Sequence, residues 1–562
     1  MPALNAALNM GHKALSAQQR AISTTGHNIA NMNTDGFTRQ RSETISEKPA
    51  SDGTGGGVRS GFVKQIYDRF AQQKILQEKP KNGVYDSREK FLQKIEVVFS
   101  EMEGAGLRKT LNDFWDSWSL LANQPESDAA RAKVRDRGDA LSARFRMMHN
   151  ELTTIRNEAN GRIAGVVSEV NNLAKQIAEL NHNISRSEMA GQKANDARDE
   201  RNQLLEDLSG LADINWFEGE DGAIQVLIGD HWPLVHKGTT NLLSTSQNGG
   251  ETGMFSIEGT GSNGSKHDLT NSFRSGELKE VMTIRDHTTV EYLQQLDDMA
   301  FGLAHRINRL HATGTGLNHA PNVVKSSFGL NPDAQQQPLP FVKDGILQLH
   351  LVGGDRDVLE TYEIEVQAGK DSIQDIVQRI NETVGDPALL EASLENDGSV
   401  KLQAGMGRGV IFGNDETELT LVMGFNNFFE SLQGAADMRI SDKILKDPNN
   451  IATGKDLVPG DNQVALKIAT MQTEPTMEDD TMTFDEFYNG ILADVGLRIQ
   501  RNQTDKEHQD ALLSQFQEIR DSISSVNLDE EIAQMVQYQK AYEASARFIT
   551  TVNEMMDTLL RM

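Results

Sequence analysis

Thirteen histidines are scattered through the 562 residues, and none sits in the H-E-x-x-H helix pattern that gathers two imidazoles and a carboxylate around zinc. His12 and His27 read as polar positions beside an apolar helix seam. The chain has no cysteine, so thiolate metal sites and disulfides are excluded. The run GMGRGV, Gly405 to Val410, has suggestive glycine spacing but lacks the strand-to-helix setting of a dinucleotide fingerprint, and reads as a hairpin turn. PASDGTGGGVRSG, Pro49 to Gly61, lacks the Lys-Ser or Lys-Thr ending of a phosphate-binding loop and reads as a flexible linker. Neighbouring acids such as Glu478 with Asp479, or Glu530 with Glu531, read as solvated surface, because no acid, base and nucleophile converge. No catalytic residue, metal site or cofactor site is expected, and the chain reads as a non-enzyme.

What the chemistry lacks, the helices supply. Leu8, Leu15, Ile22 and Ile29 fall on one heptad line near the N-terminus. Met535, Tyr542, Ile549 and Met556 form a second line near the C-terminus, and Tyr538, Ser545, Val552 and Leu559 form a third. Seams this narrow bury little alone, so each end needs a partner helix. From Leu141 through Phe145, Met148, Leu152, Ile155, Ala159, Ile163, Val166, Val170, Leu173, Ile177 and Leu180 to Ile184, one continuous stepping predicts a helix of roughly 65 Å, part of a rod.

Between the helical blocks, AIQVLIGDHWPLVHKG and GMFSIEG predict a small β unit over 216–283. Further on, GILQLHLVGG and TYEIEVQAG alternate like strands, DSIQDIVQRINETV is helical, and ASLENDGSVKLQAG predicts a hairpin within an α+β insertion over 319–461. The expected architecture is multidomain and mainly α: a terminal coiled coil (1–45 with 520–562), a helical rod (46–215 with 284–318 and 462–519), and the inserted β and α+β outer domains.

A formal net charge of -27 and a pI near 4.9 argue against a general grip on nucleic acid or anionic membrane. The mean hydropathy of -0.50 fits elongated domains with thin cores. The opening MPALNAALNMGHKALSAQQR has no apolar core followed by a small-residue cleavage site, which predicts no cleavable signal peptide.

The segment GHNIANMNTDGFTRQR, Gly26 to Arg41, resembles the signature of flagellar rod, hook and hook-associated proteins through Asn28, Ala30, Asn31, Thr34, Gly36 and Phe37. Physically, Asn31 to Gly36 supplies the polar, flexible close that a helix C-terminus needs, and Phe37 is placed to anchor the turn against a helix. Ser524 to Leu560 resembles the family's C-terminal helix, with Asn527 as cap and Asp529, Glu530 and Glu531 in the first turn, where the helix dipole favours negative charge. Asn195 to Ile214 resembles the segment before the family's β unit. The long helices together with the signature resemble the member that joins hook to filament, over a hook or distal rod protein or a cytosolic coiled-coil scaffold.

The resemblance implies an extracellular structural subunit that assembles as a short helical layer on the hook tip and templates the next layer. Its implied partners are the hook protein, a second hook-filament junction protein, further copies of itself and an export chaperone on the C-terminal helix. It also implies type III export without a cleavable signal. In the free monomer both end segments are expected to be largely disordered.

Overall fold

The computed structural model describes residues 2–48, 56–101, 106–229, 231–247, 253–261, 264–331, 333–431, 433–458 and 460–561. Most of the flexible linker expected at Pro49 to Gly61 lies outside them, and its described end, Val58 to Gly61, is paired strand instead. The helices are α1 (Pro2–Ala30), α2 (Arg69–Phe99), α3 (Leu107–Asn123), α4 (Asp128–Met189), α5 (Asn195–Leu211), α6 (Glu277–Thr283) and α7 (Thr289–His311). They continue with α8 (Ile373–Val384), α9 (Leu419–Val422), α10 (Asp442–Lys446), α11 (Gln463–Thr470), α12 (Phe484–Ser524) and α13 (Leu528–Arg561). The chain is mainly α and divides into two compact units, residues 1–91 with 157–286 and 499–562, and residues 92–156 with 287–498.

In the first unit, β1 (Gln40–Ser46) and β2 (Val58–Gln65) form an antiparallel ribbon with an irregularity between Ser42 and Thr44. A four-stranded antiparallel sheet follows in the order β3 (Ile214–Glu218), β4 (Ile224–Ile228), β5 (Trp232–His236), β6 (Thr239–Thr240). A second sheet holds β7 (Leu243–Ser246), β8 (Ser256–Thr260) and β9 (Lys266–Asp268). In β4, Ile224, Val226 and Ile228 alternate inward, the period-2 pattern of a sheet with one covered face.

α4 follows the predicted seam closely at first: Leu141, Phe145, Met148, Leu152, Ala159, Ile163, Val166 and Val170 are all buried. Leu173 and Leu180 are then only half-buried, and the buried line passes through Ala174, Ile177, Asn181 and Ile184. A straight α-helix drifts by about 20° per heptad, so a seam counted in sevens slides off the packed face after several turns. Asn181 therefore enters the core, where it accepts from the Ile224 N–H at 3.0 Å and donates to the carbonyls of Ile224 and Lys237 at 2.8 Å each. A polar side chain this buried is stable because every group it carries is paired.

The second unit packs around an aromatic cluster in which Phe114, Trp118, Phe428 and Phe429 meet with ring centroids 4.7 to 6.3 Å apart. Within 319–461 lie two three-stranded sheets. One holds β10 (Val323–Lys325), and the other holds β11 (Gly345–Gly353) beside β12 (Val358–Val366). β13 (Leu390–Leu394) and β14 (Val400–Ala404) are an antiparallel hairpin over ASLENDGSVKLQAG, and β14 also pairs with β10. β15 (Arg408–Asp415) pairs with β11, and β16 (Phe429–Glu430) pairs with β17 (Arg439–Ile440). α8 opens on a full capping box between Ser372 and Asp375, which closes two otherwise orphaned backbone donors. Leu349, Ile364, Ile376, Leu402 and Phe412 share one core.

The hairpin reading of Gly405 to Val410 needs correction. The segment does turn, with the Arg408 N–H donating to Gly405 O at 3.1 Å, but β14 and β15 belong to different sheets. The turn carries the chain from one sheet to the next.

Candidate assembly site at the chain ends

The site is built on α1. Its last turn closes through Asn31, whose backbone N–H and side-chain Nδ2 both donate to His27 O, at 3.1 and 3.0 Å. Thr34 N–H then donates to Asn31 O at 2.9 Å and Phe37 N–H to Thr34 O at 3.1 Å. Gly36 carries the left-handed residue of this turn at φ 76°, a conformation that glycine adopts without a Cβ clash. Phe37 meets His27 edge-on with centroids 5.4 Å apart. Ala30, Thr34 and Gly36 are exposed.

Asn28 is buried and is the hub. Its amide pairs with the Gln40 backbone in both directions, Nδ2 donating to O at 2.8 Å and Oδ1 accepting from N–H at 3.0 Å. The same Nδ2 donates to Glu531 Oε2 at 2.9 Å. Glu531 Oε1 accepts from Arg39 Nε at 2.7 Å, and Arg39 also pairs with Glu530 at 2.8 Å. Glu531 is 1% exposed. The expectation that Glu530 and Glu531 form solvated surface is therefore wrong for Glu531, because a guanidinium and an amide from the other end of the chain take its charge in place of water. Partial burial works against the Arg39 charge, yet its hydrogen bonds to Glu530 and Glu531 hold its pKa above the ordinary value.

A second anchor joins the signature segment to α5. Asp199, also buried, accepts from the Thr38 N–H at 2.9 Å, Thr38 Oγ1 at 2.7 Å and Gln65 Nε2 at 2.8 Å. Burial pushes its carboxyl up to about 6 against the downward pull of those bonds. Gln40 Nε2 donates to Asp196 at 2.6 Å, and the Arg39 N–H donates to Ser524 O at 2.8 Å, tying the end of α12 to the ribbon. A polar cleft of about 380 Å³ lies between the turn, α5 and this end of α12, with Asp35, Glu206 and Arg520 among its walls.

Beyond the clasp, α13 packs along α1. Asn28 lies beside Glu531, and a Cβ added at Gly11 would stand 2.7 Å from Ile549 Cγ1, so the two helices run antiparallel. Leu8, Leu15, Ile22 and Ile29 are half-buried, as are Met535, Tyr538, Tyr542, Ile549 and Met556, while Val552 is buried. Leu559 remains 52% exposed. The fully buried positions of α1 include Ala17, Ala21, Thr24 and Asn28, a small-residue line one step away from the leucine line. Residues three and four apart lie on one face of a helix. Among the described residues no cluster of His, Asp or Glu is arranged to hold a metal ion.

Comparison with known proteins places these same segments. The family described as "Flagella basal body rod protein" matches residues 8–38, and "Flagellar basal body rod FlgEFG protein C-terminal" matches 521–562. "Flagellar hook-associated protein FlgK helical domain" matches 92–323. Flagellar hook-associated protein 1 of Bacillus subtilis is 26% identical over 569 residues, covering 98% of this chain and 97% of that relative. Over nearly its whole length the chain is similar to flagellar hook-associated protein 1. The Escherichia coli protein of that name is 24% identical over 576 residues, covering 99% of this chain and all of the relative. In fold, the chain is similar to the flagellar hook junction protein FlgK from Burkholderia pseudomallei, with a TM-score of 0.52 at 15% identity over 81% of this chain. The rod-protein models thus match both chain ends, and the FlgK helical-domain model matches the stretch between them over residues 92–323.

Proposed function

We propose that this chain is a structural subunit of the bacterial flagellum at the junction between hook and filament. The observation that carries the reading is the antiparallel pairing of α1 with α13, clasped at Asn28 and Glu531, in the two segments that rod-family proteins share. Heterologous contacts that do not close into a ring generate helical assemblies, so subunits presenting such a pair form a short layer on the hook tip and template the second junction protein. Hook protein and further copies of this chain are its neighbours in that layer. An export chaperone covers the C-terminal helix before secretion, which proceeds through the flagellar export path.

The four-part division drawn from the sequence belongs to this reading. Residues 1–45 with 520–562 form the assembly element, and 319–461 an outer insertion. The chain works by packing and not by catalysis. Gold-labelled antibody against residues 319–461 tests the location: label confined to the boundary between hook and filament supports the reading, and label along the hook or on the cell body refutes it.

A further inference from the structure

We propose that Phe341 is a docking knob for a second copy of this chain, its ring seated in the pocket beside β10 and β15 of the neighbouring copy. The contact deepens the junction reading and rests on it, because that reading sets copies of the chain side by side in one layer.

Phe341 is displayed at a cost to the backbone. It stands 86% exposed, more than any other phenylalanine among the described residues, and its φ of 68° lies in the left-handed region. Bulky residues are rare there, and the conformation persists only where the surrounding structure imposes it. Leu339 and Val342 on either side are buried. The Leu339 N–H donates to Asp371 O at 3.0 Å and the Lys343 N–H to Thr417 O at 2.9 Å. The segment is thus pinned before and after the ring that it leaves in water. A strained residue with its ring in solvent adds nothing to the isolated fold, and such outliers concentrate at functional contacts.

The same unit holds a receptor of matching size. A pocket of about 150 Å³ has Pro321, Val324, Ile411 and Phe412 among its walls, together with Asn318 and Asn449. An apolar cavity of about this volume takes up benzene, so a benzyl side chain fits it. An aromatic anchor in a pocket, ringed by groups that exclude water, is the arrangement that concentrates binding energy at protein interfaces. Within one chain the two do not meet. Phe341 precedes β11, whereas Ile411 pairs with His350, five residues past the strand's first residue, Gly345. That stretch of strand alone spans about 17 Å, beyond the reach of a phenylalanine side chain. A knob at one place and its pocket at another join copies head to tail, the kind of contact from which rings and helical layers are built.

Photocrosslinking tests the contact. Phe341 is replaced by the photoreactive p-benzoylphenylalanine in the full chain, which is made alongside native copies in flagellated cells, and the isolated flagella are irradiated. Two-chain species are expected, with adducts mapped by mass spectrometry to segments 318–324, 410–412 or 449–457. Val323 is 40% exposed on β10 and lines the pocket; Val323→Trp in every copy should fill the site and lower the adduct yield at least about tenfold. Flagella that contain the chain but give no such adducts, adducts that map elsewhere, or a yield indifferent to Val323→Trp would overturn the proposal and leave the junction reading standing. Absence of the chain from the flagella would overturn both.

Discussion

Asn28 Nδ2 donates to Glu531 Oε2 at 2.9 Å across 503 residues of chain, and this bond joins the signature at one terminus to the helix at the other. Removing one partner of a buried charged pair costs about 3 to 5 kcal/mol, because the remaining charge stays buried without compensation. Arg39→Ala and Glu531→Ala should each destabilise the first unit strongly, and the double variant should cost clearly less than the sum of the two. A double-mutant cycle read by denaturant unfolding checks this. Additive losses would mean that the two side chains act independently.

Gly11 lies in the interior of α1, where glycine costs about 1 kcal/mol relative to alanine. Its place is explained by Ile549, whose Cγ1 would stand 2.7 Å from an added Cβ. Gly11→Val should therefore separate the end helices and abolish filament attachment, despite removing a poor helix former. Electron microscopy of cells carrying the variant decides it, and normal filaments would show that the close approach is dispensable.

Asp199 gives the first unit an unusual pH response. Its folded pKa of about 6 lies above the unfolded value near 3.9, so its contribution to stability is fully present below the unfolded value and is lost as pH rises through 6. Amides of 37–40, corrected for intrinsic rate, should become more protected as pH falls from 7 to 5. Asp199→Asn should remove that dependence. Protection that is unchanged over this range in the native chain would contradict the assignment.

His311 acts in the opposite direction within the second unit. It is fully buried, with Nδ1 donating to Asn426 O at 2.6 Å and Nε2 accepting from the Ala452 N–H at 2.9 Å. The bond accepted at Nε2 requires the neutral ring. Burial pushes its pKa down to about 4, so its contribution, about 3 kcal/mol at pH 7, is present above the unfolded value of about 6.5 and is lost as pH falls toward 4. Exchange at the end of α7 should rise steeply below pH 6 in the native chain and much less in His311→Gln. Equal slopes would refute it.

The end helices were legible because apolar residues repeat at a period the backbone imposes, and the turn at Asn31 to Gly36 because its residue types have few other uses. α4 was legible as a helix, but its inner face drifted off the counted heptads and brought Asn181 into the core. Glu531 was misread because its burial depends on Arg39 and Asn28, which no local pattern links to it. Asp199 sits in a run of charged residues, DARDER, that looks solvated, and only the fold brings Thr38 and Gln65 to it. The turn at Gly405 was recognised from its glycines, but which sheets it joins is a tertiary fact.

Complementation tests the central claim most directly: a strain lacking this gene receives either the full chain or a version without Ser524 to Met562, and its hooks and filaments are imaged by electron microscopy. The account predicts that the full chain restores filaments, while the shortened chain leaves complete hooks with no filament and flagellin lost to the medium. Normal filaments from the shortened chain would contradict it, since the clasp at Glu531 and every contact of α13 would then be dispensable for joining hook to filament.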